Sequence, residues 1–304
     1  MAIGSRFFLN LAAGLLLSLA WQPAQACTLF AAVGHSVQGG GAIIAKNRDR
    51  SPLASGLKVF APPAGYRHLG LVSLDSPTAP AVAGINEKGL VVVDASPSSL
   101  PLTEEDASAI PLTQALLTRC ASVREVLAQK ELFGASYPVF EMVADRHQVA
   151  LIEVAPGGQL SVQVIDQGTL CHTNHYLSSQ LLWANQKAHR SSQVRCRRIS
   201  GLVDQLKGPF TFADFLVFSQ DRNAGPDNSI NRVGSAPEKT RTLATFVVHL
   251  SDDAPHVFLR TSNPGEPDRM VNFRLEPGLW SKGLPEKLSP VKSEPSGLGV
   301  NRVQ

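Results

Sequence analysis

CTLFAAVGHSVQGGGAIIAKNRDR, residues 27–50, decides how the rest of the chain is organised. Its first seven residues form an apolar run, which predicts a buried strand. GHSVQGGG is a turn, and AIIAKN predicts a second strand. Two apolar runs bounded by glycine and polar residues predict a hairpin. A turn centred near Val37–Gln38 sets Cys27 across from Arg48 or Asp49. The hairpin therefore brings Lys46, Asn47, Arg48, Asp49 and Arg50 up beside a cysteine. Lys46 and Asn47 directly follow the apolar AIIA, so part of this charged cluster is expected to be covered.

The residues before Cys27 give that cysteine its interest. Arg6 is the single charge in residues 1–26, FFLNLAAGLLLSLAW follows it, and Ala24-Gln25-Ala26 ends the stretch. A positive start, a short apolar core and small residues at the −3 and −1 positions describe a cleavable signal peptide, residues 1–26. The apolar run falls short of the roughly 20 residues a membrane anchor needs. The expectation is export to the periplasm or the medium, with no stable membrane anchor. The formal charge of +3, or +2 without Arg6, is too small to argue for nucleic acid or an anionic membrane as partner.

A cut after Ala26 makes Cys27 the first residue, with a thiol and a free α-amine together. An α-amine has a reference pKa of about 7.7–8.0 and a thiol about 8.5. One residue then supplies both nucleophile and base. A covered carboxylate nearby would bind the α-ammonium, and a cation would favour the thiolate. Two other readings stay open at this point. Cys27 is a lipid-modified cysteine, although lipoprotein signals usually carry leucine where this chain has Ala24; or it is a half-cystine or core thiol. With Cys27 free, Cys120, Cys171 and Cys196 allow one disulfide at most.

Further strands are expected at LGLVSL, AVAGIN, GLVVVDA, YPVFEMVAD, QVALIEVA, LSVQVID, TLCHTNH, TLATFVVHL and HVFLRTS. A single amphipathic helix is expected over 112–130, with Leu116, Cys120, Val123 and Leu127 on one face. Helices are also expected over 177–206 and at TFADFLVF. This order suggests sheets packed together with helices outside, in one domain over 27–284. The Pro-, Ser- and Gly-rich residues 285–304 read as a loose tail.

Cys171, His172 and His175 form a candidate metal set, but neighbouring strand residues point to opposite faces. His175 reads as a loop or site-wall residue, and the glycines at 39–41 lack a phosphate-loop ending. Asn86 and Glu87 read as a tight turn before Gly89. Trp183, Tyr176 and Leu181 would wall an acyl pocket or serve as core.

Cys-Thr at a processed N-terminus, a glycine-rich hairpin and AKNRD resemble the N-terminal-nucleophile hydrolases of the choloylglycine hydrolase and penicillin acylase type. They are equally similar to acyl-coenzyme A:6-aminopenicillanic acid acyltransferase and acid ceramidase. GINEKGLVVV, CHTNHY, SSQVRCRR, GPDNSINR and TLATFVVHL extend the resemblance, in order, over residues 27–262. It implies an α+β fold, a four-layer αββα sandwich. Carried over by position, it implies that Cys27 is nucleophile and base, Asp49 the aspartate that binds the α-amine, Asn174 an oxyanion-hole asparagine and Arg195 the arginine near the cysteine. A second oxyanion contributor would fall near Asp94–Ser96. Lys46 stands where the family has arginine, keeping the charge without the planar fork. The implied activity is hydrolysis of a linear, non-peptide amide of a small N-acyl substrate, or transfer of its acyl group. No cofactor or metal is implied. The alternatives are a dipeptidase of the related N-terminal-cysteine type and a non-catalytic periplasmic binding protein or lipoprotein.

Overall fold

The structure is a computed structural model describing residues 26–99, 109–186 and 190–282. The expected signal peptide up to residue 25 and the expected tail 285–304 lie outside the described residues. Among the described residues, two antiparallel sheets pack face to face.

The first sheet contains the hairpin. β1 (Ala26–Val33) and β2 (Ala42–Arg50) pair with Cys27 opposite Arg48 and Leu29 opposite Lys46. Gly41 closes the turn at φ +83°, where a Cβ would run into the Leu250 carbonyl. β10 (Gly168–His172) flanks β1, and β11 (Arg241–Leu250) flanks β2. β12 (His256–Thr261) and β13 (Arg269–Arg274) complete the order β10-β1-β2-β11-β12-β13. The second sheet is a meander in chain order. It runs through β3 (Ser55–Phe60), β4 (His68–Ser73), β5 (Ala83–Asn86), β6 (Val91–Ala95), β7 (Val139–Ala144), β8 (Val149–Ala155) and β9 (Gln159–Ile165).

Strand alternation sorts the apolar residues into three buried layers. Between the sheets, Leu29, Ala31 and Ile44 meet Leu69, Ile85, Val93, Phe140 and Met142. Phe30, Ala32, Ile43 and Val247 face the other way, onto α4 (Arg190–Leu206) and α5 (Phe212–Ser219) through Ile199, Val203, Phe215 and Phe218. The outer face of the second sheet carries α1 (Leu112–Arg119), α2 (Val123–Leu127) and α3 (Lys130–Gly134) over Leu90, Val92, Val143 and Ile152. The result is helix, sheet, sheet, helix, the four-layer αββα arrangement. Each large side chain fully buried here contributes about 1.5–3 kcal/mol.

Two expectations need correction. The single helix over 112–130 is broken. Cys120 turns extended, and Ser122 caps a new helix by accepting the Glu125 N–H at 3.2 Å, while Glu125 accepts from Ala121 N–H at 2.8 Å. This cap competes with helix continuation, and the periodicity of apolar residues does not reveal it. Over 177–206, where helices are expected, a 3-10 segment spans Ser179–Ala184 and α4 runs over Arg190–Leu206. β3 and β13 were not expected, because SGLKVF and RMVNFR lie at sheet edges and carry no continuous apolar run. No helix among the described residues is long and apolar enough to cross a membrane.

Candidate active site

The register of β1 on β2 determines what surrounds Cys27. Side chains alternate, so Cys27, Lys46 and Arg48 face the second sheet, while Thr28, Asn47 and Asp49 face the α4–α5 layer. A one-residue slip would exchange the two sets. Asn47 anchors the outward set by donating to the Ser219 carbonyl at 2.7 Å and the Ile230 carbonyl at 2.8 Å. The inward cations bridge the two sheets. Lys46 donates to the Val82 carbonyl at 2.6 Å and to Asp94 Oδ1 at 2.5 Å. Arg48 donates to Ser55 and, at 2.6 Å, to Ser73 Oγ.

Asn174 and Arg195 hold the backbone of Cys27. The Cys27 N–H donates to Asn174 Oδ1 at 2.8 Å, and Arg195 donates to the Cys27 carbonyl at 2.5 Å. Arg195 also donates to Thr28 Oγ1 and Asn174 Oδ1, each at 2.9 Å. The side chain of Asn174 gives one of its N–H protons to the Ser96 carbonyl at 2.8 Å. The amide nitrogen has a second proton to offer. Ser192, in the first turn of α4, accepts the Asn174 backbone N–H at 2.8 Å. The Ser-x-x-Arg spacing of Ser192 and Arg195 thus clasps one asparagine from two sides.

Asp49 lies opposite Ala26 in the β1–β2 ladder and accepts from Thr242 Oγ1 at 2.7 Å. Its other oxygen is buried without a hydrogen bond, and the nearest cation is Arg232 at 3.9 Å. Burial pushes the Asp49 carboxyl up to about 6, against the pull of Arg195 and Arg232. Burial likewise raises the Cys27 thiol, with Lys46 the strongest opposing influence. Arg195 is lowered to about 10, mainly by burial.

The Asp49 shift predicts a pH effect on a chain that retains Ala26. Between about pH 4 and pH 6 the folded chain keeps a proton that the unfolded chain has released. Stability is fully supported below the unfolded pKa and is lost as pH rises through the folded one, by up to about 3 kcal/mol from this group. Urea unfolding at pH 4.5 and pH 7 should show the decline, and Asp49→Asn should remove most of it. An equal decline in Asp49→Asn would assign the effect elsewhere.

All five residues read from the sequence (Cys27, Lys46, Asp49, Asn174 and Arg195) are buried in this one region. Asp49 is the exception in detail, since it touches Thr242 and Arg232 while the Cys27 N–H goes to Asn174. Sequence reasoning missed Arg232 and the carboxylate pair Asp94–Glu141. GPDNSINR was noted only as a late motif, and Asp94 only by its position. The candidate metal set is dispersed. Cys171 packs toward α4 and α5, His172 pairs inward with Glu153 at 2.8 Å, and His175 bonds Ser192 at 2.7 Å. Tyr176 and Leu181 lie in the core, where the Tyr176 hydroxyl donates to the Val154 carbonyl, and Trp183 is exposed. Cys120 sits in the α1–α3 layer, while Cys171 and Cys196 are neighbours in the α4 layer on the opposite side of the molecule.

The sequence profile of the acyl-coenzyme A:6-aminopenicillanic acid acyl-transferase family matches residues 36–261, well over half the chain. The chain belongs to this family. It is therefore an enzyme of the amide hydrolase and acyltransferase class, with the N-terminal-nucleophile hydrolase fold. Solved structures agree on that fold. Penicillin V acylase from Agrobacterium tumefaciens superposes with a TM-score of 0.55 at 17% identity, covering 82% of this chain and 86% of that one. A variant of conjugated bile acid hydrolase from Clostridium perfringens gives 0.54 at 14% identity, covering 82% and 97%. The Caenorhabditis elegans orthologue of N-acylethanolamine-hydrolyzing acid amidase gives 0.51 at 13% identity, covering 73% and 92%. No curated protein matches the chain significantly in sequence. In this acyl-transferase family member the matched segment begins nine residues after Cys27.

Proposed function

We propose that this protein is exported, is cut between Ala26 and Cys27, and uses Cys27 to cleave a small, linear, non-peptide N-acyl amide or to transfer its acyl group. The observation that carries this reading is the Cys27 N–H, held 2.8 Å from Asn174 Oδ1 at the end of β1. A cut there turns that amide into an α-amine already seated in a hydrogen bond. It also removes Ala26, the ladder partner of Asp49. The new ammonium would then lie next to a buried carboxylate oxygen that has no hydrogen bond in the uncut chain. The structural neighbours, a penicillin V acylase, a conjugated bile acid hydrolase and an N-acylethanolamine-hydrolyzing acid amidase, support the substrate class.

In the proposed reaction the α-amine takes the Cys27 thiol proton, and the thiolate adds to the substrate carbonyl. The negative oxygen is met by the second Asn174 N–H, the kind of contact whose loss costs about 2.7–4 kcal/mol where measured. The α-ammonium protonates the departing nitrogen, the C–N bond breaks and a thioester remains. Water, or a second amine, adds to the thioester and gives a proton to the α-amine. The carbon–sulfur bond then breaks to give the acid or the new amide, and the thiolate recovers its proton from the α-ammonium.

Intact mass and N-terminal sequencing of the exported protein, before and after iodoacetamide, test the first premise. The expected result is a chain that starts at Cys27 with one rapidly alkylated thiol. A lipid-bearing Cys27, or a cut elsewhere, would remove the base and sink the proposal. A panel of chromogenic N-acyl amides would then define the acyl group.

A further inference from the structure

Lys46 is an unusual residue to find at 1% exposure. An unpaired buried lysine tends to shed its proton. This one leaves the first sheet and passes the start of β5, where it bonds the Val82 carbonyl. It ends on Asp94 of β6, in the other sheet. Asp94 is backed by a second acid: Glu141 of β7 lies directly opposite in the ladder, and Thr113 of α1 donates to Glu141 Oε1 at 2.8 Å and lies 3.3 Å from Asp94 Oδ2. Burial, and then the charge of Asp94, hold the Glu141 carboxyl well above the ordinary carboxylate range.

The charged groups around the Cys27 thiol come from several elements. β2 supplies Lys46, Arg48 and Asp49, α4 supplies Arg195 and β6 supplies Asp94. Arg232 stands behind Asp49, and Glu141 and Tyr137 stand behind Asp94. Arg48 is tied to two serines, and Arg195 to a carbonyl, a threonine and an asparagine. Lys46 bonds Val82 and Asp94, and it lies on the same face of the first sheet as Cys27.

We propose that Asp94 is a positioning residue for the reaction: it fixes the Lys46 side chain on the face it shares with Cys27, and the lysine then favours the thiolate. This inference rests on the reading of Cys27 as nucleophile. Asp94 has two opposed effects on the thiol. Its own charge disfavours a thiolate, and its hold on Lys46 favours one. At 2.5 Å from the ammonium its negative charge is largely answered, so the indirect effect wins. Replacing Asp94 should free Lys46 from this position and remove its support of the thiolate.

The test uses the mature protein and follows Cys27 alkylation by iodoacetamide from pH 5 to pH 10, located by peptide mass. Asp94→Asn and Lys46→Met should both move the midpoint upward by about one unit, roughly a tenfold loss of rate at neutral pH. Lys46→Arg, which keeps the cation, should return the rate to within about threefold of wild type. A midpoint that falls in Asp94→Asn, or stays fixed there while moving in Lys46→Met, overturns the proposal. If the variants do not fold, nitrogen NMR of lysine-labelled wild type decides. Lys46 as an ammonium at pH 8 supports the proposal, and a neutral amine overturns it. The alkylation profile needs no substrate, so it separates the two claims. Turnover that survives Cys27→Ala would sink the nucleophile assignment, whereas an unmoved Asp94→Asn profile would sink the positioning role alone.

Discussion

Cys27→Ala is expected to lower kcat/KM by roughly 10⁴-fold or more, the scale seen when a covalent nucleophile is removed. The fold should survive. Cys27 is 4% exposed and packs at one end of the inter-sheet core, so trimming it costs about 1 kcal/mol, an ordinary core change. The backbone of Cys27 keeps its main partners without the sulfur, whose own contact is with the Asp49 backbone. The Asn174 bond is made by the Cys27 backbone N–H and the Arg195 bond by its carbonyl. Cys27→Ser should be equally inactive, because a hydroxyl in the same setting is a far weaker nucleophile than a thiol at neutral pH. The measurement pairs turnover of a chromogenic N-acyl amide with thermal unfolding followed by circular dichroism. Substantial turnover in a folded Cys27→Ala protein would end the proposal. Loss of both fold and turnover in Cys27→Ala would shift the decision to the serine variant.

Arg195→Ala is expected to carry the largest stability cost of any substitution at the site. The side chain is 0% exposed and makes hydrogen bonds to Cys27, Thr28, Asn174 and Ser191. Breaking a buried charged cluster by removing one member costs about 3–5 kcal/mol, because its partners stay buried without it. Asp49 would lose the cation that most lowers its pKa, and its carboxyl would rise further above 6. Arg195→Lys should recover the charge but not the four-way grip, since an ammonium cannot match the planar fork. Urea unfolding at neutral pH measures both. A cost below about 1 kcal/mol for Arg195→Ala would mean that the cluster relaxes or fills with water. Activity should fall with stability at the alanine and fall more than stability at the lysine. In the lysine variant the charge remains, but Asn174 and the Cys27 carbonyl lose their shared clamp.

Much of this site was legible in the sequence, because local rules generate it. The hairpin follows from two apolar runs and a glycine-rich turn. Its length sets Cys27 opposite the AKNRDR segment, and period-two alternation divides Lys46 and Arg48 from Asn47 and Asp49. Arg195 could not be separated from Arg197 and Arg198 by local rules. The resemblance singled it out, and its burial under the sheet shows why. The broken helix at Cys120–Ser122 was hidden because apolar spacing continues across a cap that interrupts it.

The sequence by itself determined every strand but β3 and β13, the hairpin register to within one residue, a cysteine directly after Ala24-Gln25-Ala26 and the set of polar residues near it. The tertiary structure alone decided which of these touch. Lys46 reaches Asp94, Arg195 reaches Cys27 and Arg232 approaches Asp49 across separations of 48, 168 and 183 residues. Such contacts follow from the packing of one sheet on another and of a helix on a sheet, where side chains meet by layer and not by order along the chain. Burial then sets their chemistry, because removing water from a charge makes its partner, and not its own intrinsic pKa, the deciding term.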